Sequence, residues 1–428
     1  MLAYLLPPLV PLTLETELDL RRNGRLLMRV LMLCYDYPPA TSGAAQATAA
    51  LAEGLAAHGV AVDVVTGGGH AVSESKVVWG EAAEGIVAVH RVPSRRPGND
   101  CSGFRRAAAY LTAATPVVRQ LLRRQSYDVV HVAFAPPAAA MLPLLDLGGA
   151  AVIMSLRGVD VPGAAHGAAR STHPLRRHVA RWLWRRADRV VVPSESLGRL
   201  AHAIHPELRY ASVPLGVDPA SFRPRGALRR APDGVIRCLA VARLVPHNGL
   251  EDLVDAVSLL DRRRFQLEIV GAGPSGTVLR ARVRRLGLES QVRLTGWLDR
   301  PQLIRRYREA DLFTLAPQVE SLGGSFLEAL ASGLPIVGST AGSIPELLGH
   351  GRHGIVVAPG LPHELAQAID RLAEDPRRRA EMSRRNRAEA VEKYAWNRLT
   401  PRYLAVYQGA RRAAPNRPAV TQLPAGTW

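Results

Sequence analysis

Residues 317–335 read PQVESLGGSFLEALASGLP and contain two glutamates, Glu320 and Glu328, with seven residues between them. Apolar runs on either side, at 310–315 and 335–338, predict buried strands. The run FLEALA at 326–331, which contains Glu328 and precedes the second strand, predicts a helix. The stretch therefore predicts a strand–loop–helix–strand unit, with Glu320 in the loop and Glu328 about one turn into the helix.

A glycine pair, Gly323–Gly324, stands where this helix is predicted to begin. Glycines at a helix start leave backbone N–H groups bare, and such groups bind phosphate. Carboxylates such as Glu320 and Glu328 are good acceptors for the hydroxyl groups of sugars and riboses. A phosphate held between two hydroxyl-bearing rings indicates a nucleotide-sugar site. In the structural alternative, Glu320 only caps the helix and Glu328 is a solvated helical residue.

The stretch resembles the E-x7-E signature of the retaining glycosyltransferases of family 4, including the trailing E-A-x-A-x-G-x-P of residues 328–335. The resemblance continues in residues 341–346, AGSIPE, which are similar to that family's A-G-G-x-P-E turn with Ser343 in place of the second glycine. It extends over residues 29–410. It implies an α/β fold in which two Rossmann-like domains face each other across a cleft, the GT-B fold.

The length of 428 residues also predicts two domains. Residues 1–28 are interpreted as an extension that arises from a misassigned start codon, because Met28 begins a natural first strand, MRVLML. Together with the resemblance, this gives an N-terminal acceptor domain at 29–214, a C-terminal donor domain at 215–393, a helix at 394–413 that returns to the first domain, and a loose tail at 414–428.

Two motifs of the first domain are assigned to the acceptor side. Ser42-Gly43 follows the first strand, where the family usually has Gly-Gly, and one glycine still allows close approach of a backbone N–H. The alternative is a plain strand-to-helix turn. His131 ends DVVHV, which is similar to the family's D-V-V-H-x-H strand end. It faces the cleft in one interpretation and is a buried, hydrogen-bonded histidine in the other.

Residues 155–163 read SLRGVDVPG, where most relatives carry H-G-x-D, so that Arg157 replaces the histidine. Arginine stays protonated and does not serve as a base. Its planar fork stabilises a leaving diphosphate or binds an anionic acceptor. Asp160 is expected to position Arg157 or an acceptor hydroxyl. The alternative is a salt bridge at a strand end.

Two further motifs are assigned to the binding of the nucleotide-sugar donor. Residues 243–249 read RLVPHNG, where relatives have R-L-x-x-x-K-G; Arg243 is kept, but Asn248 replaces the lysine that binds the diphosphate. Gly271 and Gly273 form a G-x-G turn after a predicted strand, as expected of a nucleotide-binding turn. The resemblance implies catalytic roles for Glu320, Arg243 and Arg157, and donor binding by Glu328, Gly323, Gly324, Asn248, Gly271 and Gly273.

The predicted function is transfer of a sugar from a nucleotide-sugar donor to the hydroxyl of a glycan or lipid-linked acceptor, as in bacterial surface polysaccharide assembly. No D-x-D pair lies near the predicted site, so neither a metal nor another cofactor is expected. Because of Asn248, a non-catalytic nucleotide-sugar-binding subunit is the alternative. An epimerase or phosphorylase of the same fold is a further one, although those enzymes lack this E-x7-E context.

The net charge is +18, carried almost entirely by arginine. Such a charge suits nucleic acid, anionic membranes or polyanionic substrates. Nucleic acid is not expected as a partner, because neither a reader motif nor an aromatic platform is present and aromatic residues make up only 5%. Residues 170–190 combine arginines with Trp182 and Trp184, which predicts either a helix on an anionic membrane surface or a solvated face with inward tryptophans. Three widely spaced cysteines favour the cytoplasm. Under the membrane interpretation of the helix, the protein is expected at the inner face of the plasma membrane.

Overall fold

The computed structural model describes residues 28–40, 42–68, 72–79, 84–94, 104–158, 160–164, 174–225, 234–321 and 323–412. The predicted extension before Met28, the predicted tail at 414–428 and residues 226–233 of the segment between the domains lie outside these residues.

The first domain is built on an eight-stranded sheet with strand order β3-β4-β2-β1-β5-β6-β7-β8. All its pairings are parallel except that of β3 with β4. The strands are β1 (Met28–Leu33), β2 (Val60–Gly68), β3 (Val72–Trp79), β4 (Glu84–Pro93), β5 (Val129–Val132), β6 (Ala151–Ser155), β7 (Arg189–Val192) and β8 (Tyr210–Ser212). The helices are α1 (Gly43–Ala56), α2 (Phe104–Arg124), α3 (Ala135–Ala138), α4 (Pro174–Trp184) and α5 (Glu195–Ile204), with a 3-10 segment at Ala139–Leu144.

The second domain is built on a six-stranded parallel sheet with strand order β11-β10-β9-β12-β13-β14. The strands are β9 (Ile236–Val241), β10 (Phe265–Val270), β11 (Val292–Gly296), β12 (Leu312–Thr314), β13 (Ile336–Ser339) and β14 (Ile355–Val357). The helices are α6 (Leu250–Ser258), α7 (Gly276–Arg285), α8 (Arg300–Glu309), α9 (Gly324–Ala331), α10 (Ile344–Leu347), α11 (Pro362–Glu374) and α12 (Pro376–Lys393), with 3-10 segments at Pro246–Asn248 and Gly349–Gly351.

The last described helix, α13 (Trp396–Arg412), packs on the first domain although it follows the second in sequence. Leu399, Tyr403 and Tyr407 are buried in the same apolar cluster as Met32 of β1 and Val129 of β5. The first domain therefore takes part of its core from the end of the chain.

The prediction of two Rossmann-like domains is confirmed. Strands such as β1, β5, β12 and β13 are buried and rich in valine, leucine and isoleucine, as expected of parallel sheets covered by helices on both faces. Parallel sheets of this kind bind ligands at the carboxyl ends of their strands. Within the described residues, no helix is long and apolar enough to cross a lipid bilayer.

Candidate active site

The loop between β12 and α9 carries Glu320 and is held in place by a neighbouring glycine turn. The N–H of Ser343 donates to the carbonyl of Glu320 at 3.1 Å. Gly342 has φ 54°, and a Cβ atom at this position would lie 1.8 Å from the same carbonyl oxygen, so only glycine fits. Residues of the AGSIPE motif therefore fix the backbone at Glu320.

The Glu320 carboxylate organises its own loop. Its Oε1 atom accepts hydrogen bonds from the N–H groups of Ser321 (2.9 Å) and Gly323 (3.0 Å). Gly323 has φ 64° and is the N-cap of α9. The expectation of a bare N–H at Gly323 is thus wrong, because this N–H already donates to the Glu320 carboxylate. The N–H groups of the first helical turn begin at Gly324, where an α-helix supplies no internal acceptor.

Glu328 lies on α9, about one turn in, as predicted. Its carboxylate is half-buried, and the hydroxyl of the buried Tyr307 is hydrogen-bonded to it and lies 3.1 Å from the carbonyl oxygen of Ser325. Burial raises the pKa of Glu328 to about 7, while the Tyr307 hydrogen bond and the charge of Arg300 act in the opposite direction. Tyr307 stacks on Phe313 in the core, which fixes this hydroxyl. Sequence reasoning missed Tyr307.

On the first domain, the loop after β6 carries Arg157, whose side chain is only 7% exposed. Its Nε donates to the carbonyl of Ala133 at 2.9 Å. Asp160 accepts from the N–H groups of Arg157 (2.8 Å) and Gly158 (2.8 Å). Asp160 therefore positions Arg157 through its backbone. Burial raises the pKa of Asp160 to about 6, against the opposing effect of these hydrogen bonds and of the Arg157 charge.

The two loops meet across the cleft between the domains. Gly158 has φ 111°, and a Cβ atom at this position would lie 2.1 Å from Ser321 Oγ and 2.5 Å from Ser321 Cβ. Ser321 directly follows Glu320, and Gly158 directly follows Arg157. The fold thus brings the predicted catalytic arginine and glutamate of the two domains to one place. Sequence reasoning missed Ser321, since neither its type nor its spacing distinguishes it.

Arg243 follows β9 at the carboxyl edge of the second sheet, and its side chain is exposed. Its loop adjoins the Glu320 loop, because the N–H of Gln318 donates to the carbonyl of His247 at 2.9 Å. Asn248 Nδ2 donates to the carbonyl of Arg243 at 2.7 Å. The amide of Asn248 therefore closes the turn that presents Arg243.

Gly271 and Gly273 follow β10 and pack against the backbone next to Arg243. Cβ atoms here would lie 1.9 Å from the carbonyl oxygen of Ala242 and 2.4 Å from that of Leu244. Leu244 N–H also donates to the carbonyl of Ala272 at 3.0 Å. Both glycines are therefore required for two loops to pack closely at the edge that bears Arg243, which is a structural reason for the G-x-G turn.

Ser42, Gly43 and His131, all assigned to the acceptor side, differ in burial. Ser42 is the N-cap of α1, with its Oγ accepting from the N–H of Ala45 at 3.1 Å, and Gly43 is exposed with open space around its Cα. His131 is fully buried: Nε2 bonds to Ser155 Oγ and Nδ1 to Tyr407 OH, both at 2.8 Å.

The assignment of His131 to the acceptor side is corrected by these contacts, because both ring nitrogens are used inside the core. Burial lowers the pKa of His131 to about 3, and the nearby charge of Arg157 acts in the same direction. The imidazole is neutral at physiological pH and joins β5 and β6 to α13.

A second contact between the domains comes from Glu346, the last residue of the AGSIPE motif. Its carboxylate accepts from the N–H groups of Glu195 (3.1 and 3.2 Å) and Ser196 (3.4 Å), at the start of α5 in the first domain. A carboxylate at a helix N-terminus is favoured by the helix dipole. The sequence indicates only a turn for this motif, whereas in the structure its glutamate links the two domains.

Both domains resemble known protein families. A family model described as Glycosyltransferase Family 4 matches residues 41–221, and one described as Glycosyl transferases group 1 matches residues 229–389. A GDP-mannose-dependent alpha-(1-6)-phosphatidylinositol monomannoside mannosyltransferase of Mycobacterium tuberculosis is 30% identical over 311 residues, which are 68% of this chain and 78% of that protein. A D-inositol 3-phosphate glycosyltransferase of Jonesia denitrificans is 29% identical over 426 residues, covering 90% of this chain and 97% of that one.

Solved structures agree in fold. A sucrose-phosphate synthase from Thermosynechococcus elongatus matches with a TM-score of 0.74 at 19% identity, over 90% of this chain and all of that one. WaaG, a glycosyltransferase involved in lipopolysaccharide biosynthesis, matches with a TM-score of 0.64 at 17% identity, over 89% of this chain and 99% of that one. At these identities the likeness concerns the arrangement of the two domains.

Proposed function

Since the chain belongs to the family 4 glycosyltransferases, we propose that it transfers a sugar from a nucleotide-sugar donor to an acceptor hydroxyl with retention at the anomeric carbon. The observation that carries this proposal is the contact of Gly158 with Ser321, which brings the Arg157 loop and the Glu320 loop together. A site assembled from both domains encloses a donor between cations and carboxylates.

The carboxylates bind the two rings of the donor, and the arginines and backbone N–H groups bind its diphosphate. Glu328 accepts hydrogen bonds from the ribose hydroxyls, and Glu320 holds the donor sugar. Arg157, Arg243 and the first-turn N–H groups of α9 from Gly324 onward stabilise the negative charge of the leaving diphosphate. With Asn248 used in its own turn, these two arginines supply the positive charge that a lysine gives in relatives.

The reaction proceeds on one face of the sugar. The bond from the anomeric carbon to the diphosphate oxygen breaks, and a bond to the acceptor oxygen forms on the same side. The acceptor proton passes to the leaving diphosphate, because Arg157 stays protonated and His131 is buried away from the cleft. The expectation that no metal or other cofactor takes part is kept in this proposal.

Incubation of the full chain with radiolabelled nucleotide sugars tests the proposal. We expect slow hydrolysis of one donor without acceptor and faster turnover when glycan or lipid-linked acceptors are added. Tight binding of a donor with no turnover under any of these conditions would instead indicate a non-catalytic binding subunit. Analysis of the product anomer distinguishes retention from inversion.

The pKa of Glu328 predicts a pH-dependent donor affinity. A protonated carboxyl is a weaker acceptor toward the ribose hydroxyls than a carboxylate, so the KM for the donor should rise as pH falls below about 7 and level off about tenfold higher. Glu328→Gln should raise the KM and remove this slope. The contrary result would be the same slope in both proteins.

The folding stability of the parent and of Glu328→Gln serves as a control, because it depends on pH in the opposite direction from the donor affinity. Because the pKa of Glu328 is higher in the folded chain than in the unfolded one, ionisation of the carboxylate weakens folding as pH rises from about 4.5 to about 7. Glu328→Gln should therefore raise the melting temperature at pH 8 and raise it less at pH 5. This control separates a change in donor binding from a folding defect.

We also propose that α4 binds an anionic membrane surface at the inner face of the plasma membrane, which suits a lipid-linked acceptor. Leu175, Val179 and Trp182 are 66%, 48% and 47% exposed, and their spacing puts them on one side of the helix. Arginines flank this stripe, and Arg186 lies over the Trp182 ring at 3.8 Å. Trp184, in contrast, is buried, so the two tryptophans serve different roles.

Sedimentation with vesicles tests the membrane proposal. Val179→Ser/Trp182→Ser should reduce binding to vesicles that contain anionic lipid by about tenfold, since both apolar burial and charge contribute. Leu259→Ser/Val278→Ser, which removes exposed apolar residues from the second domain, is the matched control and should bind like the parent. Equal sedimentation of all three proteins would contradict the proposal. A parent protein that is a dimer in solution, with only the α4 variant monomeric, would also contradict it, because the exposed stripe would then bind a second copy of the chain.

A further inference from the structure

The exposed side chain of Glu346 connects the two domains beside a cavity that lies between them. Its carboxylate accepts hydrogen bonds from the backbone N–H groups of Glu195 and Ser196 over 3.1 to 3.4 Å, a contact called here the Glu346 clasp. Residues of both domains line the adjacent cavity of about 430 Å³, such as Ser194 of the first domain and Leu327 of the second. The clasp is therefore a polar contact at the rim of a gap, not part of a packed interface.

The N–H groups of the Glu346 clasp are ones that α5 leaves without an internal acceptor. Ser194 is the N-cap of α5, and its Oγ accepts from the N–H of Leu197 at 3.3 Å. Glu195 and Ser196 are the first two residues of the helix, and helix geometry gives their N–H groups no partner within it. A carboxylate at this end also meets the positive pole of the helix dipole. An acid from the second domain thus completes the cap of a helix in the first.

In the second domain, the Glu346 clasp is directly connected to the Glu320 loop. Glu346 lies on the short helix α10, between Ser343 and Leu347. The N–H of Ser343 donates to the carbonyl of Glu320 at 3.1 Å. Leu347 packs beside Gly323, where an added Cβ atom would lie 2.7 Å from Leu347 Cδ2. A movement of α10 would therefore displace the loop that holds the proposed catalytic glutamate.

In the first domain, α5 follows β7, and β7 is the neighbour of the strand that leads to Arg157. Ser155, the last residue of β6, stands in register with Val191 of β7. The N–H of Leu156 donates to the carbonyl of Val191 at 2.9 Å. Arg157 and Glu195 are the second and fourth residues after this register pair, so both lie at the carboxyl edge of the sheet. The start of α5 and the Arg157 loop are therefore held by the same pair of strands.

We propose that Glu346 is a positioning residue, which holds the Arg157 loop against the Glu320 loop during sugar transfer. This inference rests on the proposed function, in which the two loops together form the transfer site. The two chain crossings between the domains lie side by side, because the N–H of Val217 donates to the carbonyl of Tyr394 at 2.8 Å. Domains joined by a few such residues can rotate relative to each other. A contact outside the crossings then favours the arrangement in which the site is complete.

Steady-state kinetics of the full chain test the role of Glu346. Glu346→Ala should lower kcat/KM about fivefold, because its hydrogen bonds to α5 are lost. Glu346→Gln keeps an oxygen acceptor and should recover most of this loss, whereas Glu346→Lys should lose more, because a cation meets the positive end of α5. Glu392→Ala removes an exposed glutamate from the wall of the same cavity and should behave like the parent. A kcat/KM of Glu346→Ala equal to that of the parent would overturn the proposal.

A double-mutant cycle shows whether the Glu346 clasp carries the effect. Glu195→Pro removes the donor of the two shorter hydrogen bonds. Proline fits here, because Glu195 is the first residue of α5 and Ser194 before it is extended (φ −154°, ψ 154°). This variant should lose about as much as Glu346→Ala, and the double variant should lose no more than either. Losses that multiply to about 25-fold would overturn the proposal.

Glu195→Ala is the matched control for Glu195→Pro, because it keeps the N–H and removes only the side chain. That side chain accepts from the hydroxyl of Tyr210 at 3.2 Å and takes no part in the Glu346 clasp. Glu195→Ala should therefore be at least as active as the parent. An equal loss in Glu195→Ala and Glu195→Pro would assign the effect to the side chain and would overturn the proposal.

Hydrogen–deuterium exchange measures the same contact without any activity. In Glu346→Ala, the amides at the start of α5 should exchange at least about threefold faster than in the parent, and so should those of the Glu320 loop. Exchange that is unchanged at either place would overturn the proposal. A parent protein that transfers no sugar would contradict the proposed function, whereas faster exchange at both places would still support the Glu346 clasp.

Discussion

Glu320→Gln should lower kcat for sugar transfer by about 100-fold or more while leaving thermal unfolding nearly unchanged, because it removes charge from the reaction centre but keeps an oxygen. The amide oxygen of glutamine still accepts from the N–H groups of Ser321 and Gly323, so the loop keeps its shape. The measurement is kcat and KM with the donor identified in the nucleotide-sugar screen, together with the melting temperature.

Glu320→Ala should abolish transfer and, in addition, destabilise the protein. Alanine leaves two loop N–H groups without their acceptor, which costs about 1 to 2 kcal/mol. Loss of stability accompanies loss of activity in this variant because the Glu320 carboxylate is also the acceptor that holds its own loop. Glu364→Gln, at an exposed position of α11, is the matched control and should behave like the parent. Transfer that survives in Glu320→Gln would show that the site assignment is wrong.

Gly158→Ala should reduce kcat/KM by about 100-fold, the effect of a displacement of about 1 Å between catalytic groups. Its methyl group would lie 2.1 Å from Ser321 Oγ, so the two loops have to separate. The residue also has φ 111°, where side chains other than glycine are strained. The measurement is steady-state kinetics of Gly158→Ala beside its melting temperature.

A double-mutant cycle separates the clash from the strain. Ser321→Gly removes both atoms that the new methyl group would meet, and alone it should have a small effect. Gly158→Ala/Ser321→Gly should recover about tenfold of the lost activity, since only the backbone strain remains. If the double variant is no more active than Gly158→Ala, contact between the two loops is not what Gly158 provides.

Much of the fold follows from local patterns in the sequence. Runs such as that of β1 are apolar at every position but Arg29 and buried throughout, which is typical of parallel strands covered on both faces. The sequence does not predict the strand β3, because VSESKVVW contains polar residues. In the structure this strand pairs antiparallel at the edge of the sheet. Edge strands lack the burial that makes central strands visible in a sequence.

The site was harder to predict wherever a contact joins distant parts of the chain. Glu320 and Glu328 lie at a fixed spacing on one loop and helix, so their neighbourhood follows from the sequence. The environment of His131 does not, because its partner Tyr407 is 276 positions away. Likewise, the contact of Gly158 with Ser321 depends on how two domains meet, and no single motif encodes it.

The position of α13 has a consequence for biosynthesis. The ribosome makes the N-terminal sheet first, yet the apolar cluster that includes Met32 and Val129 is completed by Leu399, Tyr403 and Tyr407 of α13. The nascent first domain therefore exposes an unfinished core throughout translation of the second. Loss of the final helix through a premature stop codon would damage the domain that was synthesised earliest.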